Sequence, residues 1–381
     1  MQVYLHYPYC ATLCPYCDFF STTAHEDPAY EATIMNELEW WSRWVQGPAT
    51  TIYFGGGTPG RMDPRLTARL LDKIDRVFGM ASSAEITLEA NPDDITSSGL
   101  AEFYQAGINR LSIGVQSLND HELKWLGRRH DSSSAVDAVK SARRAGFDNL
   151  SLDLIFGLPG QTQDQLAEML DRFFSLNSEH VSLYGLTIEP GTHFGAEYDA
   201  GRLEELDREE WLSMYDIVAR QARDRGFHRY EISNFSKPGQ SGRHNRSYWR
   251  DRTFIAVGPG AHGQRQLGHG GLERRRNPKS LRGWRQKVKA SSTCEAFLQN
   301  GDEALSPAEW LREAVMLGIR DLDLGIDPLG WSQGFGLADS KLMATVQRLI
   351  DENVLTAKAP HRLRAPGILR VDEIAAELLN D

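Results

Sequence analysis

Cysteine is scarce here: four residues in a chain of 381. A secreted disulfide scaffold would spread an even set along a short chain, so that class is excluded and a reducing, cytosolic compartment is expected. No apolar run approaches a membrane span, and no basic region followed by an apolar stretch opens the chain; neither an inserted segment nor a secretory signal is expected. Basic residues are outnumbered, 42 Lys and Arg against 52 Asp and Glu, for a formal net charge of −10. That balance argues against general nucleic-acid binding. Low-complexity tracts and repeats at solenoid periods are lacking too. What remains is a soluble-type composition, long enough for a large core and a second, smaller domain.

Three of the four cysteines fall within eight residues, Cys10, Cys14 and Cys17, in the run YLHYPYCATLCPYCDFF. Thiolates are soft ligands suited to iron–sulfur clusters, which normally take four. Three ligands on a four-iron cluster leave one iron open. The competing reading is a zinc site, which needs a fourth ligand such as His6, His25 or distant Cys294. The spacing, and the aromatic residues Tyr4, Tyr7, Tyr9, Tyr16, Phe19 and Phe20 around it, favour the cluster. Cys294 reads as a bystander.

Short β-like runs alternate with helical stretches through the first half. Strands are predicted at 3–6, 51–54, 85–89, 111–115, 150–155 and 181–186. Between the first two, Ile34, Leu38, Trp41 and Val45 form one apolar stripe at helical spacing. Further helices are predicted at 64–78, 97–106, 133–145, 162–176 and 209–225. Six β-then-α units imply a parallel sheet with crossover helices, a barrel or part of one. In such folds the chemistry gathers at the C-terminal ends of strands, and every unusual cluster falls there: the cysteines, Gly55–Pro59, Glu89–Pro92, Gly114–Ser117, Asp153 with Gly157–Gly160, and Thr187–Gly191. The glycine turn lets backbone approach a ligand closely. Glu89, Gln116, Arg128 and Asp153 suit an ammonium, a carboxylate and a ribose diol; taken singly, each also reads as part of a salt-bridged rim.

After about residue 230 the alternation fades. A basic run follows, Arg274, Arg275, Arg276, Lys279, Arg282, Arg285, Lys287 and Lys289. It reads as a solvated face or as a contact for ligand carboxylates, anionic lipid headgroups or an acidic partner. From about 303 the chain turns mostly helical, with a small hairpin expected from 354–358 and 361–364.

The cysteine triplet with Tyr4 six residues upstream, then GGGTP, EANP, GVQS and DLIFGLPGQ, resembles the radical S-adenosylmethionine superfamily. More narrowly, nearly the whole chain is similar to its oxygen-independent coproporphyrinogen III oxidase group. The resemblance implies an α/β fold, a partial (β/α)6 barrel over 1–230. An extension over 231–302 and a smaller, mostly helical, winged-type domain over 303–381 would follow. It implies a [4Fe-4S] cluster on Cys10, Cys14 and Cys17, with S-adenosylmethionine lined by Tyr4, Tyr16, Gly56, Gly57, Thr58, Glu89, Gln116, Arg128 and Asp153. Within the group, one branch is the oxidase itself, a radical decarboxylase of porphyrin biosynthesis. The other is a heme chaperone thought to deliver heme to apo-hemoproteins of the respiratory chain. The chaperone branch is favoured because the oxidase's fourth cysteine is Phe19 here and its long N-terminal extension is not seen. His244, Asn245, Tyr248 and Trp249 also match an H-N-x-x-Y-W signature linked there to heme. Peripheral membrane contact belongs to the same expectation. Chemically, a neutral imidazole is a common heme ligand and aromatic rings can flank the macrocycle; a packed histidine beside two aromatics is the plainer reading.

Overall fold

The computed structural model describes residues 1–380 except 252, 269, 335, 337–339 and 369. Six strands lie where the alternation places them: β1 (Gln2–Tyr7), β2 (Ala49–Gly56), β3 (Met80–Ala90), β4 (Arg110–Gln116), β5 (Leu150–Phe156) and β6 (His180–Gly185). They pair in chain order and in parallel. The register sets Leu5 beside Phe54, Phe54 beside Leu88, and Leu111 beside both Leu88 and Leu150. Each of these is buried, as expected of parallel strands covered by crossover helices.

Several of the crossover helices start where short polar side chains satisfy free backbone N–H groups. Asp63 caps Pro64–Phe78, Asp131 caps Ser132–Arg144, and Thr162 forms a reciprocal box with Gln165 at the start of Gln163–Phe174. Ile34, Leu38 and Trp41 share the buried face of the helix Tyr30–Trp41, which stops short of the predicted stripe; Val45, four residues past its end, is buried with them.

Beyond residue 225 the structure departs from the sequence reading. Six short strands extend the sheet: β7 (His228–Arg229), β8 (Asn234–Ser236), β9 (Phe254–Val257), β10 (His262–Gln266), β11 (Leu272–Arg276) and β12 (Glu303–Leu305). The order is β12-β11-β10-β9-β1-β2-β3-β4-β5-β6-β8-β7, one open sheet. Strand β9 returns to pair in parallel with β1, so the chain after 230 builds a wall beside the cysteine-bearing strand.

That wall corrects the reading of the basic run as a free patch. Arg275 is 1% exposed, stacks 4.2 Å from the Trp40 ring, and faces the buried Glu37 at 3.5 Å. Arg274 pairs with Glu303 and Glu313, Arg276 with Glu303, and Lys287 with Asp302. At the surface, Lys279 meets Asp18 and Arg285 meets Asp27. Six of the eight cations thus have internal partners, which argues against this run as a docking patch for lipid or ligand carboxylates.

The C-terminal helices Pro307–Gly318, Ser340–Asp351 and Val371–Asn380 enclose a second core of Leu311, Val315, Leu342, Val346, Leu349 and Ile374. The expected hairpin is reduced to bridges, Leu355 to Leu363 and Ile326 to His361. Asp321, 1% exposed, ties this region to the barrel through ion pairs with Arg246 and Arg250. Among the described residues, no helix is long and apolar enough to cross a membrane.

Candidate functional site

The loop after β1 carries the three cysteines and is pinned at both ends. Cys10 N–H donates to the Thr22 carbonyl at 2.9 Å, and Cys17 N–H to the Cys14 carbonyl at 3.2 Å. Thr58 Oγ1 donates to Cys10 Sγ and Arg128 Nη1 to Cys14 Sγ, both at 3.4 Å. Burial pushes the Cys17 thiol up to about 11 and raises Cys10 as well, and the neighbouring thiols add to both shifts. Deprotonating Cys10 and Cys17 here therefore calls for a cationic centre. Among the described residues, no three His, Cys, Asp or Glu groups converge as a single metal ion requires. A cluster that spreads its irons over separate corners fits the donor set.

The glycine turn after β2 lies directly against this loop. Gly57 N–H donates to the Tyr7 carbonyl at 2.7 Å and Thr58 N–H to the Tyr9 carbonyl at 3.1 Å. A Cβ on Gly57 would stand 2.7 Å from the Pro8 carbonyl carbon. On Gly56, whose φ is +108°, it would stand 2.5 Å from the His6 ring. Tyr4 Oη meets His6 Nδ1 at 3.0 Å, and His6 Nε2 meets the Phe20 carbonyl at 2.7 Å, linking the strand to the far end of the cysteine loop.

The polar rim residues gather around the same opening. Arg128 reaches Asn91 Oδ1, the Gly114 carbonyl at 3.0 Å and the Tyr16 hydroxyl at 3.4 Å. Gln116 closes β4 with φ of +63°, next to a register shift in the β4–β5 pairing; a non-glycine residue held there is strained and re-aims its side chain. Asp153 accepts from Ser112 Oγ at 3.2 Å. Glu89 accepts from Tyr53 Oη at 2.7 Å and from Gly56 N–H at 3.2 Å.

Burial pushes the Glu89 carboxyl up to about 7, against the lowering pull of the Tyr53 hydroxyl. The folded chain keeps that proton where an unfolded glutamate, near 4.5, has lost it. Stability is therefore expected to fall as pH rises from the unfolded value to the folded one, by roughly 2–3 kcal/mol. Urea unfolding at both ends of that window should show the slope, and Glu89→Gln should flatten it.

A cavity of about 460 Å³ runs from Phe19, Phe20 and Lys279 at the mouth, past Tyr4, Gly56, Glu89 and Asp153, to a floor at the strand starts. Gly57, Thr58, Tyr16 and Arg128 lie against the cysteine loop, and Gln116 stands near Arg128 at the end of β4. His244, Asn245 and Tyr248 line the floor, on the short helix Arg243–Tyr248. Trp249 opens instead on a second cavity of about 250 Å³, with Trp310 and Trp331. The four residues of the H-N-x-x-Y-W match thus face two cavities, with Tyr248 between them.

His244 is 2% exposed, and both ring nitrogens are engaged: Nδ1 with Thr51 Oγ1 at 2.7 Å and Nε2 with Tyr248 Oη at 2.9 Å. Burial holds its pKa down at about 3, so the ring stays neutral. Sequence reasoning missed Arg110, Glu85 and His180, which share this floor. Arg110 and His180 open their strands and Glu85 lies midway along β3, positions where nothing in the sequence signals that the cavity runs through the barrel.

Residues 4–173 match the family described as the Radical SAM superfamily. The chain is 39% identical over 269 residues to heme chaperone HemW of Bacillus subtilis (strain 168), covering 69% of this chain and 70% of that protein. It is 36% identical over 293 residues to heme chaperone HemW of Escherichia coli (strain K12), covering 75% and 76%. A solved structure of coproporphyrinogen III oxidase (HemN) from Escherichia coli superposes with a TM-score of 0.80 over 99% of this chain and 89% of that one. At 21% identity that match shows the fold alone. With three thiols on the first loop and the glycine turn packed against them, the chain belongs to the radical SAM superfamily, in the branch whose bacterial members are named heme chaperone HemW.

Proposed function

We propose that this protein is a cytoplasmic heme chaperone that binds heme, a [4Fe-4S] cluster and S-adenosylmethionine, and hands heme to hemoproteins such as respiratory enzymes. The observation that carries this reading is the identity of 32–39% to several proteins named heme chaperone HemW over most of the chain. Phe19, standing where the resemblance puts the oxidase's fourth cysteine, supports it.

Cys10, Cys14 and Cys17 would hold the cluster, which when bound supplies an unsaturated iron and a one-electron couple. The chain's own residues then have defined tasks. Gly56, Gly57 and Thr58 bring backbone close to a methionyl head group. Glu89, Gln116 and Asp153 offer oxygen acceptors and an amide to an ammonium and a ribose diol. Arg128 sets a fixed positive charge beside Cys14 and Tyr16, where a carboxylate would lie. Tyr4 and the surrounding aromatics exclude water. We further propose the division 1–230, 231–302 and 303–381; the second segment supplies the wall strands β9 to β11 and, at the other edge of the sheet, β8.

For heme, His244, Asn245, Tyr248 and Trp249 are the proposed contacts. Ligation by His244 requires its imidazole to leave Thr51 or Tyr248. Heme titrated into reconstituted protein is expected to give a sharp Soret band. His244→Ala is expected to weaken that band several-fold. Tyr248→Phe, which frees Nε2 from its hydroxyl partner, should strengthen it. Conversion of coproporphyrinogen III to protoporphyrinogen IX by the purified protein would overturn the chaperone reading in favour of the oxidase.

A further inference from the structure

The Arg110 guanidinium is 4% exposed, lines the floor of the main cavity, and makes no hydrogen bond or ion pair among the described residues. Its Nε is buried without a partner. An unpaired buried cation is expensive, and one aimed into a cavity calls for a ligand.

The nearby carboxylates are already committed. Asp153 accepts from Ser112, and Glu85 accepts from the backbone N–H groups of Arg243 and His244 at 3.1 and 2.9 Å. Glu231 accepts from Ser233 N–H at 2.9 Å. The two floor histidines stay neutral, because burial and the Arg110 charge both lower them. Asn245 Nδ2, also buried, lies near the Tyr230 hydroxyl without completing a hydrogen bond. Arg110 Nη2 and Asn245 Cβ flank one point, the place a Cβ on Gly242 would occupy, at 3.4 and 3.7 Å. Two unused donor groups therefore border the same space.

We propose that the barrel floor is a binding site for a small-molecule carboxylate, held by the Arg110 fork with the Asn245 amide beside it. A guanidinium matches a carboxylate through two parallel N–H···O bonds. Asp153 and Glu85, which line the same cavity, set the charge limit: a singly charged carboxylate is accepted, and a dianion such as phosphate is repelled. The continuous cavity admits the ligand from the mouth, carboxylate first. The site shares its floor with the proposed heme contacts, Asn245 among them, but rests on Arg110, which the heme reading leaves unused, so propionate loss in Arg110→Gln and Soret-band loss in His244→Ala are separate outcomes.

The test is calorimetric titration of the cluster-reconstituted full chain with propionate and, separately, with inorganic phosphate, at constant ionic strength. Propionate should bind and raise the melting temperature, with phosphate at least tenfold weaker. Arg110→Gln should weaken propionate at least tenfold, and Arg110→Lys, a point charge without the fork, should fall between. Gly242→Ala keeps the charge but places a methyl 3.4 Å from Nη2. It should weaken propionate several-fold and so covers the case in which the Arg110 variants misfold. Propionate binding unchanged in Arg110→Gln and in Gly242→Ala, equal affinity for both anions (an adventitious ion only), or no propionate binding to the unaltered chain would overturn the proposal.

Discussion

Cys14→Ser is expected to cut the iron bound by anaerobically reconstituted protein from about four atoms per chain to well below one, with loss of the broad iron–sulfur absorbance. The expectation follows from the donor count. Three thiols serve the site, and the hard oxygen of serine is a poor substitute for a soft sulfur. Cys14 is also the thiol that Arg128 touches at 3.4 Å, so its loss leaves that cation without its anionic partner. Cys294, just past the helix Leu281–Ser292, is the internal control; its N–H bonds back to the Ser291 carbonyl, and among the described residues no hydrogen bond joins it to the cysteine loop. Cys294→Ser should keep the full iron content. Iron and sulfide analysis of the two variants decides the matter, and equal losses would sink the three-thiol assignment.

Gly57→Ala is expected to reduce S-adenosylmethionine affinity by roughly 10- to 100-fold, the equivalent of about 1–3 kcal/mol of overpacking. The added methyl would stand 2.7 Å from the Pro8 carbonyl carbon and 2.9 Å from the Tyr7 oxygen. Both are backbone atoms, so relief requires the glycine turn and the cysteine loop to move apart. The Gly57 N–H bond to Tyr7 at 2.7 Å is then the first casualty. By contrast, Gly47→Ala, at a glycine with φ of +111° but open space around it, strains only its own backbone. It should lower the melting temperature slightly and leave ligand affinity alone. Equilibrium dialysis with labelled S-adenosylmethionine separates the two; unaltered affinity in Gly57→Ala would mean that the turn is not part of the site.

The rim was legible because its signals are local. Parallel strands announce themselves as apolar runs between amphipathic helices, and the motif residues follow each strand within a few positions. The wall was hidden for the opposite reason. Strand β11 reads LERRR and looks like a surface patch, because the anions that neutralise it lie far away in the chain: Glu37 for Arg275, Glu313 for Arg274. The hairpin expected near the C-terminus was overcalled, since Leu355 and Leu363 bridge without extending into strands. The floor was invisible for a third reason. Arg110 opens β4 and Glu85 lies midway along β3, positions where sequence reasoning expects structural residues, and only the tertiary path of the cavity brings them beside His244. The same path separates Trp249 from His244, neighbours in the motif that face different spaces.

Electron paramagnetic resonance of the reduced protein, recorded before and after one equivalent of S-adenosylmethionine, reaches the open iron itself. Three thiols and one unsaturated corner predict a four-iron signal whose g values move when the methionyl amine and carboxylate bind. A signal that S-adenosylmethionine leaves untouched, or zinc in place of iron at Cys10, Cys14 and Cys17, would contradict it.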